Sequence, residues 1–232
     1  MLPSAPLLSG HRLHLRRLRG RVGLALVACL SFLAGMTDAI GFLATGDFVS
    51  FMSGNTTRLA VAISEGDLSM VLRLVAAVIA FIAGNVLGVL AGRIGGRRSL
   101  PLLLCVATLL CIAAILPFNT RVPALLTAII AMGMLNAAVE QVNGLPIGLT
   151  YVTGALSRFG RGLGRRLLGE KRDGWRVQLV PWSGMLLGAV FGAMLERKMG
   201  VQALVVSAAI ASVLGLLALR IPHQWQKDFM PR

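Results

Sequence analysis

The segments GNVLGVLAG (84–92) and GMLLGAVFG (184–192) place glycine at every fourth position and lie one hundred residues apart. Residues four apart share one face of a helix, and glycine on that face lets two helix backbones touch. Both segments lie inside long apolar runs. We therefore predict that the glycines are helix-packing positions, either between the second and fifth spans or in the seam of a homodimer. They are Gly84, Gly88, Gly92, Gly184, Gly188 and Gly192.

A similar spacing recurs over most of the chain. The residues GMTDA (35–39) match GMLNA (133–137), and MSG (52–54) matches VTG (152–154). Duplication about a two-fold axis is how many transporters build a central binding site. The pattern predicts a first membrane repeat at 22–118 and a second at 119–221, between a basic tail (1–21) and a short C-terminal tail (222–232).

Composition indicates a membrane protein. Hydrophobic residues make up 56% of the 232 residues and charged residues 14%, whereas soluble domains average roughly 45–50% and 25%. The net charge of +14 does not indicate nucleic-acid binding here, because the basic residues lie between apolar spans. Positive charge concentrates in cytoplasmic loops, so we predict a multi-pass protein of the cell inner membrane with a cytoplasmic N-terminus.

Hydropathy predicts an all-α protein with about six transmembrane helices, each of roughly 20 residues. Two shorter polar pieces, 48–63 and 145–159, lie between spans one and two and between spans four and five. If they dip and return, the protein has two inverted three-helix repeats; if they cross, it has eight spans and parallel repeats. Charge counting does not separate the two, but the polar residues in mid-segment favour re-entrant or broken elements. The six spans are Val22–Leu43, Val71–Ile94, Leu100–Phe118, Val122–Val142, Val177–Glu196 and Val201–Ile221.

Two signatures resemble a known family. AGMTDAIGF (34–42) followed by FMSGNT (51–56) resembles the first signature of the YoaK family, bacterial integral membrane proteins defined by a domain of unknown function. LNAA (135–138) followed by TYVTGAL (150–156) resembles its second, and Ser53 stands where threonine is commoner. The resemblance covers nearly the whole chain. It implies a polytopic inner-membrane protein, often taken for a permease, and brings no established substrate.

Asp38 is the sharpest candidate for a binding residue. A carboxylate inside a span costs about 2.5–3.5 kcal/mol on insertion scales, so it usually faces a cavity, a partner or an ion path. The alternative is that Asp38 lies near the outer end of span one, where it contacts water or caps the chain break after Gly41. Its equivalent in the second copy is the neutral Asn136, and this asymmetry fits one proton or cation site at the repeat interface.

The hydroxyl and amide groups of the two short pieces are candidates for contacting a polar solute, or else they satisfy one another where the chain turns. Arg58 would neutralise Asp38 or a solute, or would extend to the membrane interface. The basic loop 158–176 would contact anionic lipid headgroups. The predicted binding residues are Asp38, Ser53, Gly54, Asn55, Thr56, Asn136, Thr150, Thr153 and Gly154.

These features predict a transporter or permease for a small polar or charged solute, with Asp38 binding the coupling cation. A non-transporting membrane scaffold or partner subunit is the alternative. Three cysteines lie within apolar runs and three histidines lie near the termini, so we expect no metal and no cofactor. One carboxylate together with hydroxyl groups does not form a recognisable acid–base site, so we expect no enzymatic activity.

Overall fold

The structure, a computed structural model, describes residues 10–116, 121–139, 141–142, 145–146, 150, 152–170 and 174–230. Over these residues the fold is helical, apart from a pair of two-residue antiparallel strands. The helices are α1 Gly10–Thr45, α2 Met52–Glu65, α3 Leu68–Ile94, α4 Ser99–Ile115, α5 Arg121–Leu135, α6 Val152–Leu167, α7 Leu179–Met199, α8 Leu204–Ala218 and α9 His223–Phe229. The strands are β1 Gln141–Val142 and β2 Leu145–Pro146, and short 3-10 turns cover Asn136–Ala138, Trp175–Gln178 and Gly200–Ala203.

Several stretches are apolar enough to lie in a bilayer. Three are long enough to cross it by length and composition: Arg17–Thr45, Leu68–Ile94 and Trp175–Ala218, the last covering α7 and α8. Ser99–Ile115 and Val122–Ala138 are shorter apolar helices. The prediction that span four continues to Val142 is wrong, because the α-helix ends at Leu135 and β1 takes up the last residues.

The two polar pieces are helical where the sequence predicted breaks. Ser53 to Thr57 lie in the first turns of α2, and the irregular chain lies before them at 46–51. The prediction of a basic loop at 158–176 is wrong over its first part, because α6 continues to Leu167. In α6, apolar residues recur at helical spacing at Leu156, Phe159 and Leu163. The ring centroids of Phe159 and Trp175 lie 5.1 Å apart. An apolar stripe of this kind stabilises a helix in spite of its glycines.

The connection between α2 and α3 is a tight turn with recognisable end signals. Gly66 ends α2 with φ of 73°, a left-handed conformation that glycine adopts without strain. Asp67 then accepts a hydrogen bond from the Met70 amide at 2.9 Å and caps the start of α3. These two residues turn α3 back along α2.

The helix α1 packs along α7 with backbones in contact. A side chain at any of the three α7 glycines would meet the main chain of α1, so only glycine allows this approach. The contact is mutual, because a Cβ at Gly35 of α1 would meet the main chain of Met185 in α7. The two helices run parallel, because higher residue numbers in one meet higher numbers in the other. The contacts join Gly184 to Ala28, Gly188 to Phe32 and Gly192 to Met36.

The helix α3 packs along α5 in the same manner. Gly84 meets the backbone of Ile130, and Gly88 meets that of Met134. Gly133 of α5 faces the main chain of Phe81 and Gly84. The prediction that the two glycine faces join spans two and five is therefore wrong. The α7 triplet faces α1, and the α3 triplet faces α5. In each facing helix a glycine, Gly35 or Gly133, removes the side chain that would hold the helices apart.

The two helix pairs differ in register by one turn. Met134 is the repeat equivalent of Met36, so Gly88 meets the position that Gly192 meets in the other pair, whereas Gly188 meets Phe32. The consequence is plainest at the last glycine. A Cβ at Gly92 would meet no atom within 4 Å among the described residues, while one at Gly192 would meet the backbone of Met36.

One end of the bundle, which we call the terminal end, brings together the start of α1, the start of α4 and α9. Arg19 forms an ion pair with Asp228 at 2.5 Å, and the Ser99 amide donates to Gln226 Oε1 at 2.8 Å. Arg97 donates to the carbonyls of Lys227 and Met230, which closes the C-terminal segment onto the turn after α3. The opposite or far end carries residues 46–51, where α1 finishes.

Candidate functional site

Asp38 lies within α1 near the far end, with only 6% of its surface exposed. The backbone N–H groups of Val49 and Ser50 both donate to its Oδ1 at 2.7 Å. Residues 46–51 thus fold back along the last turns of α1, where Val49 packs against Gly41. These bonds are of the capping kind that the alternative described, but α1 continues past Gly41 to Thr45 and the irregular chain begins at Gly46. Charge-assisted bonds to backbone amides are strong, so Asp38 anchors this loop.

Asn55 holds the same loop from the other side. It is fully buried, its Nδ2 donates to the Phe48 carbonyl at 2.7 Å, and its Oδ1 accepts from the Phe48 amide at 3.0 Å. The ring of Phe48 stacks on Phe42 and meets Phe51 edge-on. Gly54 is required beside them, because a Cβ there would lie 2.5 Å from the Phe51 ring. The amide of Asn55 is therefore fully used within the loop.

A buried charge cluster beside this loop was not predicted. The side chain of Asp47 is fully buried, with Arg73 Nε 2.6 Å from its Oδ2 and Arg58 Nη2 3.2 Å from its Oδ1. Arg58 also donates to the carbonyl of Gly46. We call Asp47, Arg58 and Arg73 the far-end charge cluster. It ties the loop to α2 and α3, and Arg58 neutralises Asp47 rather than Asp38.

A second carboxylate nine residues after Asp38, directly behind Gly46, was the signal that could have revealed this cluster. Gly46 has φ of 80°, which marks a turn that brings the chain back into the protein. A charged residue on the returning side of such a turn needs a partner when it is buried.

The matching residues of the second predicted repeat form a similar scheme at the terminal end, with amides in place of carboxylates. Asn136 takes the place of Asp38, and its Oδ1 accepts from Thr150 Oγ1 at 3.3 Å. Arg158 takes the place of Arg58, and its Nε donates at 2.8 Å to Oε1 of the buried Gln178. Asp38, in α1, and Asn136, in the 3-10 turn after α5, therefore each contact a residue of the segment that follows, through a carboxylate in one case and an amide in the other.

The predicted binding residues therefore form two groups at opposite ends of the bundle. Ser53 and Thr56 are exposed on α2, and the Thr56 hydroxyl donates to the carbonyl of Met52 in its own helix. Thr153 is exposed on α6, and Gly154 has no crowded neighbour. Among the hydrogen bonds of the described residues, those of each group stay within its own copy. The shared site at the repeat interface stays a prediction.

A small apolar cavity lies at the end of α1, beyond Asp38, which does not line it. It has a volume of about 20 Å³ and lies between the end of α1, α5 and the start of α8, with room for about one water molecule. Ile40, Val49 and Leu125 are among its lining residues. A solute would need the loop or the helices to move before it could reach Asp38. Where side chains are described, no cluster of histidine, cysteine or acidic residues is arranged to hold a metal ion.

Comparison with known proteins fixes the family. The profile of a family described as a protein of unknown function, DUF1275, matches residues 26–217. The chain belongs to the DUF1275 family. This confirms the resemblance seen in the two signatures, and the matched range contains both glycine triplets, Asp38 and Asn136.

The chain is also similar to a UPF0700 transmembrane protein of Rhizobium meliloti (strain 1021). It is 51% identical over 218 residues, which cover 93% of this chain and 95% of that protein. No solved structure matches the chain. The similarity to a transmembrane protein and the apolar helices support a membrane location, and the activity has to be argued from the geometry.

Proposed function

We propose that this protein is a transporter or permease for a small polar or charged solute, built from two inverted repeats of three spans each. The spans would be α1, α3 and α4 in the first repeat and α5, α7 and α8 in the second. The short helices α2 and α6 would lie at opposite membrane faces. The observation that carries the proposal is the one-turn difference in register between two helix pairs that are otherwise equivalent.

The glycine triplets would make two registers nearly equal in energy. Glycine recurs every four residues, so a slide of one turn brings the next glycine to the same place on the facing helix. Helix shifts of one turn are an established form of switching between two packed states. A two-fold related protein whose halves adopt different registers also has the exchanged arrangement, in which α3 and α5 take the register of α1 and α7.

Exchange of the registers would provide alternating access. In the present arrangement the far-end loop is held shut by Asp38, Asn55 and the far-end charge cluster. Sliding α1 against α7 would pull on residues 46–51, because Asp38 holds them through two backbone bonds. Release of that loop would expose Asp38 to a coupling proton or cation, and polar groups of the two short helices would contact the solute.

The proposed orientation places the terminal end in the cytoplasm of the inner membrane. Arg17, Arg19, Arg21, Arg97 and Arg98 lie at that end, which agrees with the preference of cytoplasmic loops for positive charge. The basic helix α6 would lie there at the level of anionic lipid headgroups. We expect no enzymatic activity.

A ligand screen tests the proposal. Purified protein in detergent is heated with ions, amino acids, nucleobases and metabolites, for wild type and for Asp38→Asn. A ligand that binds only the folded state at a hundredfold excess over its Kd stabilises it by about 2.7 kcal/mol. The asparagine oxygen can still accept the two amide bonds, so this variant removes the charge and keeps the loop contact.

We expect a stabilising solute or ion whose effect is lost in Asp38→Asn, while Asn136→Ala changes it less. A broad screen without any stabilising ligand would refute the proposal. It would favour the scaffold or partner subunit, for which the exposed basic face of α6 is the supporting feature. Co-purification of a fixed partner, lost on neutralising Arg161, Arg165 and Arg166, would then identify that function.

A further inference from the structure

A cleft of about 350 Å³ opens at the terminal end of the bundle, between the start of α4 and the end of α8. It is separate from the far-end loop (46–51) that Asp38 anchors. Its basic lining residues are Arg98, Arg220 and His223, and Leu100, Leu219 and Ile221 are among its apolar ones. The cleft is large enough for a phosphate group together with part of the molecule that carries it.

The positive charge of this cleft is not balanced by an acid. Arg98 and Arg220 are both exposed, and neither pairs with a carboxylate among the described residues. The acidic residue of the neighbouring α9, Asp228, is occupied by Arg19. Lys227 on α9 adds a further positive charge close to His223. An anion entering the cleft would therefore meet cations without competition.

Backbone donors lie at the start of α4 beside the cleft, and several carbonyls at the end of α8 are already used. The amide of Leu100 lies in the first turn of α4, where N–H groups have no partner within the helix. At the end of α8 the carbonyl of Ala218 already accepts from the Ile221 amide and from Gln226 Nε2. The carbonyls of Leu216 and Leu217 are likewise taken by the following turn. Together with the basic side chains, these donors favour an anion.

We propose that this cleft binds a phosphate group through Arg98, Arg220 and His223, and that an anionic phospholipid carries it. The lipid is favoured over free phosphate by the apolar surface that continues from the cleft. On the last turns of α8 the side chains of Leu216, Leu217 and Leu219 are 49–58% exposed. Acyl chains would lie along them while the headgroup occupies the cleft. This site differs from α6, and it does not depend on transport activity.

His223 fits the role of an adjustable donor. Partial desolvation lowers the pKa of its imidazole, and the positive charges of Lys227 and Arg98 lower it further. Its Nδ1 is buried without a hydrogen-bond partner in the described part of the chain. A bound phosphate would offset both cations and would accept a hydrogen bond from the ring.

Native mass spectrometry of the full chain, titrated with phosphatidylglycerol or phosphatidylcholine, tests the site. We expect phosphatidylglycerol to bind more tightly, and Arg98→Gln with Arg220→Gln to weaken it roughly 30-fold, about fivefold for each arginine. The matched control, Arg197→Gln with Lys198→Gln, removes the same charge at the far end of α7 and should weaken binding by less than about twofold. Replacing both cleft arginines by lysine should retain most of the affinity, which separates lost charge from misfolding.

Inorganic phosphate distinguishes the source of the phosphate group. Phosphatidylglycerol binding that millimolar phosphate does not displace would establish the lipid. Displacement together with phosphate-dependent thermal stabilisation, both lost in the double glutamine variant, would support the phosphate site and assign it to a free anion. Equal affinity for the two lipids without any effect of phosphate would overturn the proposal. So would an equal loss of affinity in the far-end control.

Discussion

Replacement of the last glycine of each triplet by alanine separates close packing from helix propensity. Gly92 and Gly192 are repeat equivalents inside long apolar helices, and the change adds one methyl group in both. At Gly192 that methyl would meet the backbone of Met36, which cannot rotate away; at Gly92 it would meet nothing within 4 Å. Both variants gain about 1 kcal/mol of helix propensity. Their difference therefore isolates the overpacking cost, about 1–3 kcal/mol.

The measurement is the thermal midpoint of each variant in the same detergent. A difference of 1 kcal/mol shifts the midpoint by about 2–4 °C for a chain of this size. We expect Gly92→Ala to melt at or above the wild-type temperature, and Gly192→Ala to melt several degrees below Gly92→Ala. Equal midpoints for the two variants would refute the one-turn difference in register, because equivalent packing would give equivalent costs.

Three further predictions concern other parts of the molecule. Asp47→Asn leaves Arg58 and Arg73 without their buried counter-ion and should lower the free energy of unfolding by about 3 kcal/mol, measured by unfolding in a detergent series; an unchanged stability would contradict the ion pairs. Asn55→Ala leaves the Phe48 amide and carbonyl unpaired and should cost about 2 kcal/mol, whereas Ser53→Ala on the exposed face should lie within about 0.5 kcal/mol of wild type in the same assay. For His223, whose pKa is lowered from 6.5, the unfolded chain takes up the proton first, so its stabilising contribution is present above that value and decreases as the pH falls towards the folded pKa. Thermal midpoints across this window should therefore fall less steeply in His223→Gln than in wild type, and parallel slopes would contradict the assignment.

Most of the helices could be predicted from the sequence, because apolar runs of sufficient length are a local signal. Apolar runs predicted the positions of α3 and α4 to within a few residues, and the recurrence of the glycine triplet at Gly184 predicted a helix-packing face on each of two helices. The partners of those glycines could not be predicted. A glycine face shows that some backbone approaches closely, and choosing between α1, α5 and a second molecule requires the three-dimensional arrangement.

The candidate site was predicted in part. Asp38 and Asn55 both contact the loop 46–51. Their hydrogen bonds go to the backbone at 48–50, and a bond from a side chain to a distant backbone group has no sequence pattern that would predict it. Asp47 was missed because its partners, Arg58 and Arg73, lie on two different helices. The grouping of Asp38 with Asn136 rested on repeat symmetry alone. An inverted arrangement places equivalent residues towards opposite ends of the bundle.

Cross-linking across α1 and α7 tests the central claim, that the two registers exchange. In a chain whose three cysteines are replaced, Phe32→Cys with Phe191→Cys reports the present register, since the two rings lie 5.8 Å apart. Phe32→Cys with Leu187→Cys reports a register one turn away. The account predicts that both pairs cross-link in membranes, and that Gly92→Ala favours the Phe191 pair by blocking the exchanged packing of α3 on α5. Cross-linking of the Phe191 pair alone, at every pH and with every solute, would contradict it.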